Sequence, residues 1–298
     1  MPTCRGRRFC PPLATISGGV STDLTGTKCT PNNVHWTFDN YALAYSLVRS
    51  VIASGGDSWF FMTSDYEFGH NLERAASGVV KANGGTVVGS VRHPLNTSDF
   101  SSFLLQAQAS KAKIVALANA GGDTTNSIKQ AREFEITKKG QKLAGLVFII
   151  NNAHALGTES AQGLLAVSPF YWNMNPEARA WSLRFQQRHP KKFMPNEMQA
   201  GVYAAVLHYL KAVKALNGDT SGDKVVAKMK EMKTDDPLFG KGEIRADGRK
   251  IHPMYLFEVK SPSESKEPWD YYKLVQTIPG DQAFRPLDKG GCPLVKMN

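Results

Sequence analysis

The absences in this sequence narrow the possibilities before any motif does. No apolar run reaches the roughly eighteen residues that a membrane span needs. The apolar stretch Leu146 to Ile150 is only strand-length. There is no GxGxxG, no Walker loop, no HExxH, no EF-hand loop and no GxSxG elbow, so the usual signals of dinucleotide, nucleotide, metalloprotease, calcium and hydrolase chemistry are missing. Cysteine is scarce: Cys4, Cys10, Cys29 and Cys292 are the four, and none forms a CxxC pair of zinc-ribbon or thioredoxin type. The seven histidines are scattered, with none paired at metal-ligand spacing. No metal and no cofactor is expected.

The chain has 298 residues, 42% hydrophobic and 21% charged, which suits a globular protein with sizeable cores. The formal net charge is +10. Lysines and arginines are spread along the chain, with Lys138-Lys139 and Lys191-Lys192 as the densest local pairs. A solvated basic surface is therefore expected, and no nucleic-acid partner. Cys29 and Cys292 both sit in turn-like contexts. A disulfide between them, fitting an oxidising compartment, stands beside two free thiols as alternatives. Met1 to Pro12 carries arginines but no apolar segment of a secretory signal and resembles no strand or helix. The chain is expected to open in mid-fold.

Strand and helix patterns alternate from there. Strands are predicted over Ser58–Thr63, Thr86–Val91, Lys113–Ala118 and Ala144–Ile150. Between them lie amphipathic helices over Glu67–Asn83, Asp99–Ser110 (with Ser98 as N-cap) and Asp123–Glu135. Apolar strands separated by helices of this length indicate βαβ units and a parallel sheet covered on both faces. Further helices are predicted over Glu177–His189, Glu197–Leu216 and Ser221–Lys233. A hairpin follows over Phe239–Lys260 around Ala246-Asp247-Gly248-Arg249, then a strand over Trp269–Thr277.

Ligands of such sheets bind at the carboxyl ends of the strands. Those ends read Thr63-Ser64-Asp65, Asn119-Ala120-Gly121-Gly122 and Asn151-Asn152-Ala153-His154, all small and polar. His154 is set apart from the other histidines by that place. Asp39, Asp65 and Glu67 are a conceivable carboxylate constellation, against the plainer reading that Asp65 caps the helix starting near Glu67. No nucleophile with its base is visible. Ile16 to Gly26 (ISGGVSTDLTG) is a Gly-rich strand-to-helix turn whose N–H groups, with Ser21 and Thr22, suit a carboxylate.

These segments resemble a known family, the substrate-binding proteins of ABC importers of the branched-chain amino acid type (periplasmic binding proteins of class I). The motifs run in order over most of the chain: ISGGVSTDLTG, HWTFDNYALA, SDYEFGHNLE with KANGGTVVGS, SIKQAREF, GLLAVSPFYW, QAGVYAAVLHYLKAV and FGKGEIRADGRKIHPMYLFEVK. The resemblance implies an α/β, two-lobed fold of periplasmic binding protein type I, with parallel sheets, helices on both faces and the ligand enclosed between the lobes. It implies a first lobe over 1–40 and 170–250, incomplete because the family's opening strands and export signal have no counterpart, and a second lobe over 41–169 and 251–298.

Residue by residue, the resemblance implies that Gly19, Val20 and Ser21 grip a ligand carboxylate. Asp39 falls at an acidic position that faces the ammonium in amino-acid binders. Phe68 lines the second lobe; Met198 and Gln199 line the first. Asn119 and Ala120 fall where those binders often carry an aromatic, and His154 where they often carry an ammonium-binding glutamate. These departures favour a small carboxylate, aromatic carboxylates included, alongside an amino acid. The implied activity is non-catalytic: binding with hinge closure, as a periplasmic monomer whose partner is an importer's membrane permease. The rivals are an enzyme on the same architecture, a ligand-sensing domain of a receptor or regulator, and a truncated product that does not bind.

Overall fold

The computed structural model describes residues 13–296. Met1–Pro12, with Cys4 and Cys10, lies outside the described residues. Along the chain come β1 (Ala14–Ile16), β2 (Asn33–His35), α1 (Asn40–Ala53), β3 (Ser58–Ser64), α2 (Glu67–Ala82) and β4 (Thr86–His93). Next are α3 (Ser101–Ala109), β5 (Ile114–Ala118), α4 (Gly121–Glu133), β6 (Lys142–Gly145), α5 (Ile150–Ala161), β7 (Leu165–Ser168) and α6 (Pro176–Arg188). Then follow α7 (Glu197–Ala215), α8 (Gly222–Glu231), β8 (Thr234–Asp236), β9 (Gly240–Ile244), β10 (Lys250–Ile251), β11 (Met254–Val259) and β12 (Tyr272–Ile278).

The chain divides into two compact units. Unit 2 comprises 40–196 and 253–283, and unit 1 the remainder of the described residues, 13–39, 197–252 and 284–296. The expected lobes are corrected at two places. Residues 170–196 belong with unit 2, because Trp172 and Tyr171 hydrogen-bond to the Trp269 carbonyl there. Residues 284–298 belong with unit 1, to which the Cys29–Cys292 disulfide ties them. Of the two cysteine alternatives, the disulfide is the one present.

Unit 2 is built on one seven-stranded sheet in the order β12-β11-β7-β6-β5-β3-β4. The run from β4 to β7 is parallel, while β11 is antiparallel to both β7 and β12. The sheet is therefore mixed rather than purely parallel. All five residues of β5 are buried, and so are Trp59 to Ser64 of β3, as strands covered on both faces require. α2 turns Leu72, Ala76 and Val80 into this core.

Unit 1 has a parallel pair, β1 with β2, and a three-stranded antiparallel sheet, β10-β9-β8. The predicted hairpin is real only over β9 and β10, where Lys250 pairs with Ile244. Beyond it, β11 joins the large sheet of unit 2, with Leu256 and Phe257 both buried where its register against β12 shifts.

Three local readings are corrected. The apolar run Ala144–Ile150 is a strand only to Gly145. Asn152 Oδ1 accepts from the Ile149 N–H and closes a helix start at Ile150, so His154 lies in α5 and not at a strand end. Ser98 does not cap α3: its carbonyl accepts from Gln130, while Asp99 Oδ1 accepts the Ser101 N–H. Asp65 does not cap α2: its carboxylate accepts from His70 Nε2 at 2.7 Å.

Candidate ligand-binding site

In unit 1 the Gly-rich turn follows β1 directly, and four contacts fix it. His35 Nε2 donates to the Gly19 carbonyl at 2.7 Å, which sets the imidazole tautomer. Burial, followed by the charge of Arg249, holds the His35 pKa at about 2, so this ring is a neutral structural donor. Thr37 Oγ1 donates to the Ser17 carbonyl at 2.6 Å. Arg285 Nη2 donates to the Thr22 carbonyl at 3.0 Å. The start of α7 lies against the same turn. Met198 Sδ is 3.4 Å from where a Gly18 Cβ would stand, and a Cβ on Gly201 would meet Thr37 Cγ2 at 2.3 Å.

Of the expected unit 1 residues, Gly19, Val20, Ser21 and Met198 are therefore brought together, with Gln199 beside Met198 in the first turn of α7. The N–H groups of Gly19, Val20 and Ser21 donate to no other backbone group among the described residues. Ser21 is exposed and caps a four-residue 3-10 turn, accepting the Asp23 N–H. Asp39 is different. It is buried and its carboxylate lies 3.6 Å from Nη1 of the equally buried Arg249. Asp39 is in unit 1 and Asp65 and Glu67 are in unit 2, so the three do not form one cluster within either unit.

In unit 2, Phe68 stands at the second position of α2, half-buried, with the Tyr66 ring 5.7 Å away. Gly69 explains how α2 comes so close to the sheet. A Cβ there would lie 2.2 Å from the Ser64 carbonyl oxygen and 3.2 Å from that of Ala118. Asn119 follows β5 directly and is fully buried, with its side chain engaged internally. Its Oδ1 accepts from Thr124 Oγ1 at 2.8 Å, and its Nδ2 lies 3.3 Å from His93 Nε2. Ala120 is half-buried in the extended residue before α4.

His154 heads a cluster that sequence reasoning missed. Its ring stacks on Trp269 with centroids 3.8 Å apart and planes 8° from parallel. Phe193 meets it edge-on at 5.1 Å. Its Nδ1 is 2.8 Å from the Tyr271 hydroxyl. Burial lowers the His154 pKa from 6.5 and favours the neutral ring. Trp269 itself adopts φ 71°, left-handed for a bulky residue. Three donors hold its carbonyl there: Trp172 Nε1 at 2.8 Å, Tyr171 Oη at 3.1 Å and the Tyr271 N–H at 2.9 Å. The signal in the sequence was the aromatic density of Pro268-Trp269-Asp270-Tyr271-Tyr272, more than 110 residues from His154.

Among the described residues no group of three His, Cys, Asp or Glu side chains is placed to hold a metal, and no helix is long and apolar enough to cross a membrane. The arrangement offers hydrogen-bond donors and aromatic faces, which is equipment for binding. The periplasmic binding protein family profile matches residues 12–266. The chain belongs to that family.

A periplasmic binding protein from Burkholderia mallei is 54% identical and superposes with a TM-score of 0.87, over 95% of this chain and 74% of that one. A branched-chain amino acid ABC transporter periplasmic ligand-binding protein from Burkholderia xenovorans is 38% identical with a TM-score of 0.89, over 95% and 75%. A Leu/Ile/Val-binding protein homolog 6 of Brucella abortus is 24% identical over 90% of this chain and 68% of its own length. The family is one of substrate-binding transport proteins, and the mixed α/β architecture of the chain is that of its structural neighbours.

Proposed function

We propose that this periplasmic binding protein is the extracytoplasmic solute-binding component of an ABC importer, taking an amino acid or a small carboxylate, aromatic carboxylates included. The carrying observation is the His154–Trp269–Tyr271–Phe193 cluster in a chain that matches the family over residues 12–266. A histidine held neutral against a tryptophan face suits a ligand oxygen and a flat apolar body better than an ammonium group. Solved neighbours at 20–22% identity are described in complex with benzoate, 4-hydroxybenzoate and 3,4-dihydroxybenzoic acid, which agrees with an aromatic carboxylate.

On this reading the free N–H groups at Gly19, Val20 and Ser21 hold the carboxylate, with Met198 and Gln199 beside them, and Phe68 and Ala120 add contacts from the second unit. Asn119 contributes through its backbone, its side chain being engaged internally. Asp39 acts by holding Arg249 rather than by touching the ligand. Ligand binding favours a closed form, and that form docks on a membrane permease. No bond is made or broken. The protein works as a monomer, without cofactor or nucleic acid.

A second reading, a chain that does not bind, is favoured by the exposed apolar stripe Val202, Val206 and Leu210 on α7. Thermal-shift and calorimetric titration with leucine, benzoate and 4-hydroxybenzoate separate the two. A raised melting temperature with one of these supports binding. No shift with any of them, together with concentration-dependent aggregation, supports the second reading.

A further inference from the structure

We propose that Tyr271 is a specificity-determining positioning residue: it fixes His154 as an Nε2–H donor, so that the site selects ligands presenting an oxygen acceptor and rejects those presenting an ammonium group. The inference rests on the binding reading above.

The geometry leaves the imidazole little freedom. One face is covered by Trp269 at 3.8 Å, and Phe193 abuts the ring at 5.1 Å. Nδ1 is tied to Tyr271 at 2.8 Å. A phenol O–H is a good donor and a neutral imidazole nitrogen a good acceptor, whereas a phenol oxygen is a weaker acceptor. The hydroxyl therefore donates to Nδ1, and the ring proton resides on Nε2. Nε2 has no partner among the described residues and is not enclosed by protein, so a polar group from outside can reach it.

The support behind the ring is also built. Trp269 is in the left-handed region, and three donors hold its carbonyl there. Local strain sustained by surrounding bonds is a mark of functional sites. The same backbone places Tyr271 two residues on, so the stacking face and the tautomer-setting hydroxyl come as one unit. An Nε2–H donor complements a carboxylate, hydroxyl or phenolate oxygen. It repels an ammonium, which is a donor itself, and a neutral ring supplies no negative charge to offset that.

The test uses the full chain, Tyr271→Phe and His154→Glu, with 4-hydroxybenzoate and leucine as probes. Nitrogen-15 NMR of the histidine side chains reads the tautomer directly. The expected result is an unprotonated Nδ1 in the wild type and a mixture of tautomers in Tyr271→Phe. Calorimetry is expected to show 4-hydroxybenzoate bound at least ten-fold more tightly than leucine, with that preference reduced about ten-fold in Tyr271→Phe and reversed in His154→Glu. A protonated Nδ1 in the wild type overturns the proposal, as does an unchanged preference in Tyr271→Phe. If the wild type binds neither probe, nor benzoate, the binding reading itself falls and the selectivity with it. The NMR readout then still decides whether Tyr271 sets the His154 tautomer.

Discussion

The two units reach order by different means. Unit 2 closes its core around a seven-stranded sheet whose central strands are buried throughout. Among the described residues unit 1 has only a two-stranded parallel pair and a three-stranded antiparallel sheet. It compensates with a disulfide between residues 263 apart and with charges taken out of water. Arg249 and Lys250 are both buried there, and the Lys250 ammonium faces the Trp36 and Phe239 rings at 5.5 and 5.1 Å. Apolar burial is non-directional and tolerant, whereas cross-links and buried charges fail all at once when one member is lost. The candidate turn at Gly19 is carried by the more brittle unit, the aromatic cluster by the more redundant one.

Removing the disulfide tests this contrast most severely. Cross-linking so long a loop constrains the unfolded chain by about 5 kcal/mol in the chain-entropy account. Cys29→Ser with Cys292→Ser is expected to lose about 2 to 5 kcal/mol. Hydrogen exchange followed by peptide mass spectrometry should show the loss in unit 1 peptides while β3 and β5 stay protected. Equal loss of protection in both units would break the comparison.

Breaking the Asp39–Arg249 pair comes next. Asp39→Ala leaves a fully buried guanidinium without its nearest carboxylate, at a cost of about 3 kcal/mol in denaturant unfolding. Asp39→Ala with Arg249→Met should recover much of that, since a buried pair replaced by apolar groups is often close to neutral. If Asp39→Ala instead keeps its stability but abolishes ligand binding, Asp39 is a ligand contact after all.

Unit 2 is probed by Gly69→Ala. The new Cβ would fall 2.2 Å from a backbone oxygen that cannot swing aside, so α2 must lift from the end of β3. A loss of about 2 kcal/mol is expected from such overpacking. The perturbation should spread to Phe68 and the neighbouring strand ends, measured as chemical-shift changes confined to that side of unit 2.

How much of this was legible in the sequence follows from which forces were local. SWFFMT, KIVALA and the helix from Glu67 declared themselves through periodicity and Gly84-Gly85, and the structure has them within two residues. AGLVFII did not, because a short apolar run suits a strand and a buried helix start equally, and the deciding hydrogen bond from the Ile149 N–H to Asn152 Oδ1 is invisible to periodicity. That single error moved His154 from a strand end into a helix. The candidate turn at Gly19 was readable because glycine, hydroxyls and strand end are adjacent in sequence. Trp269 and Tyr271, just before β12, and Phe193, between α6 and α7, were not, since they meet His154 only through tertiary contacts.

The smallest expected effect is also the most discriminating, because two buried groups of unit 1 oppose each other. His35 is held at about 2 against 6.5 in the unfolded chain. Between those values the unfolded state takes up a proton that the folded state refuses, so stability falls as pH falls, by at most about 1.4 kcal/mol per pH unit. Glu197 is pushed by burial up to about 7 from 4.5. It keeps a proton that the unfolded chain releases, so its contribution falls as pH rises from 4.5 towards 7. Between pH 4.5 and 6.5 the two slopes nearly cancel, and below 4.5 only His35 acts. Unit 1 stability should therefore be level from pH 6.5 to 4.5 and then decline. In Glu197→Gln the decline should begin at pH 6.5, and in His35→Gln the decline below 4.5 should shrink. Exchange rates of unit 1 amides at pH 4, 5.5 and 7, corrected for intrinsic exchange, measure both. A Glu197→Gln profile that stays level down to pH 4.5 would mean that the His35 pocket admits a proton, and the turn at Gly19 would then lack the fixed neutral donor on which its geometry depends.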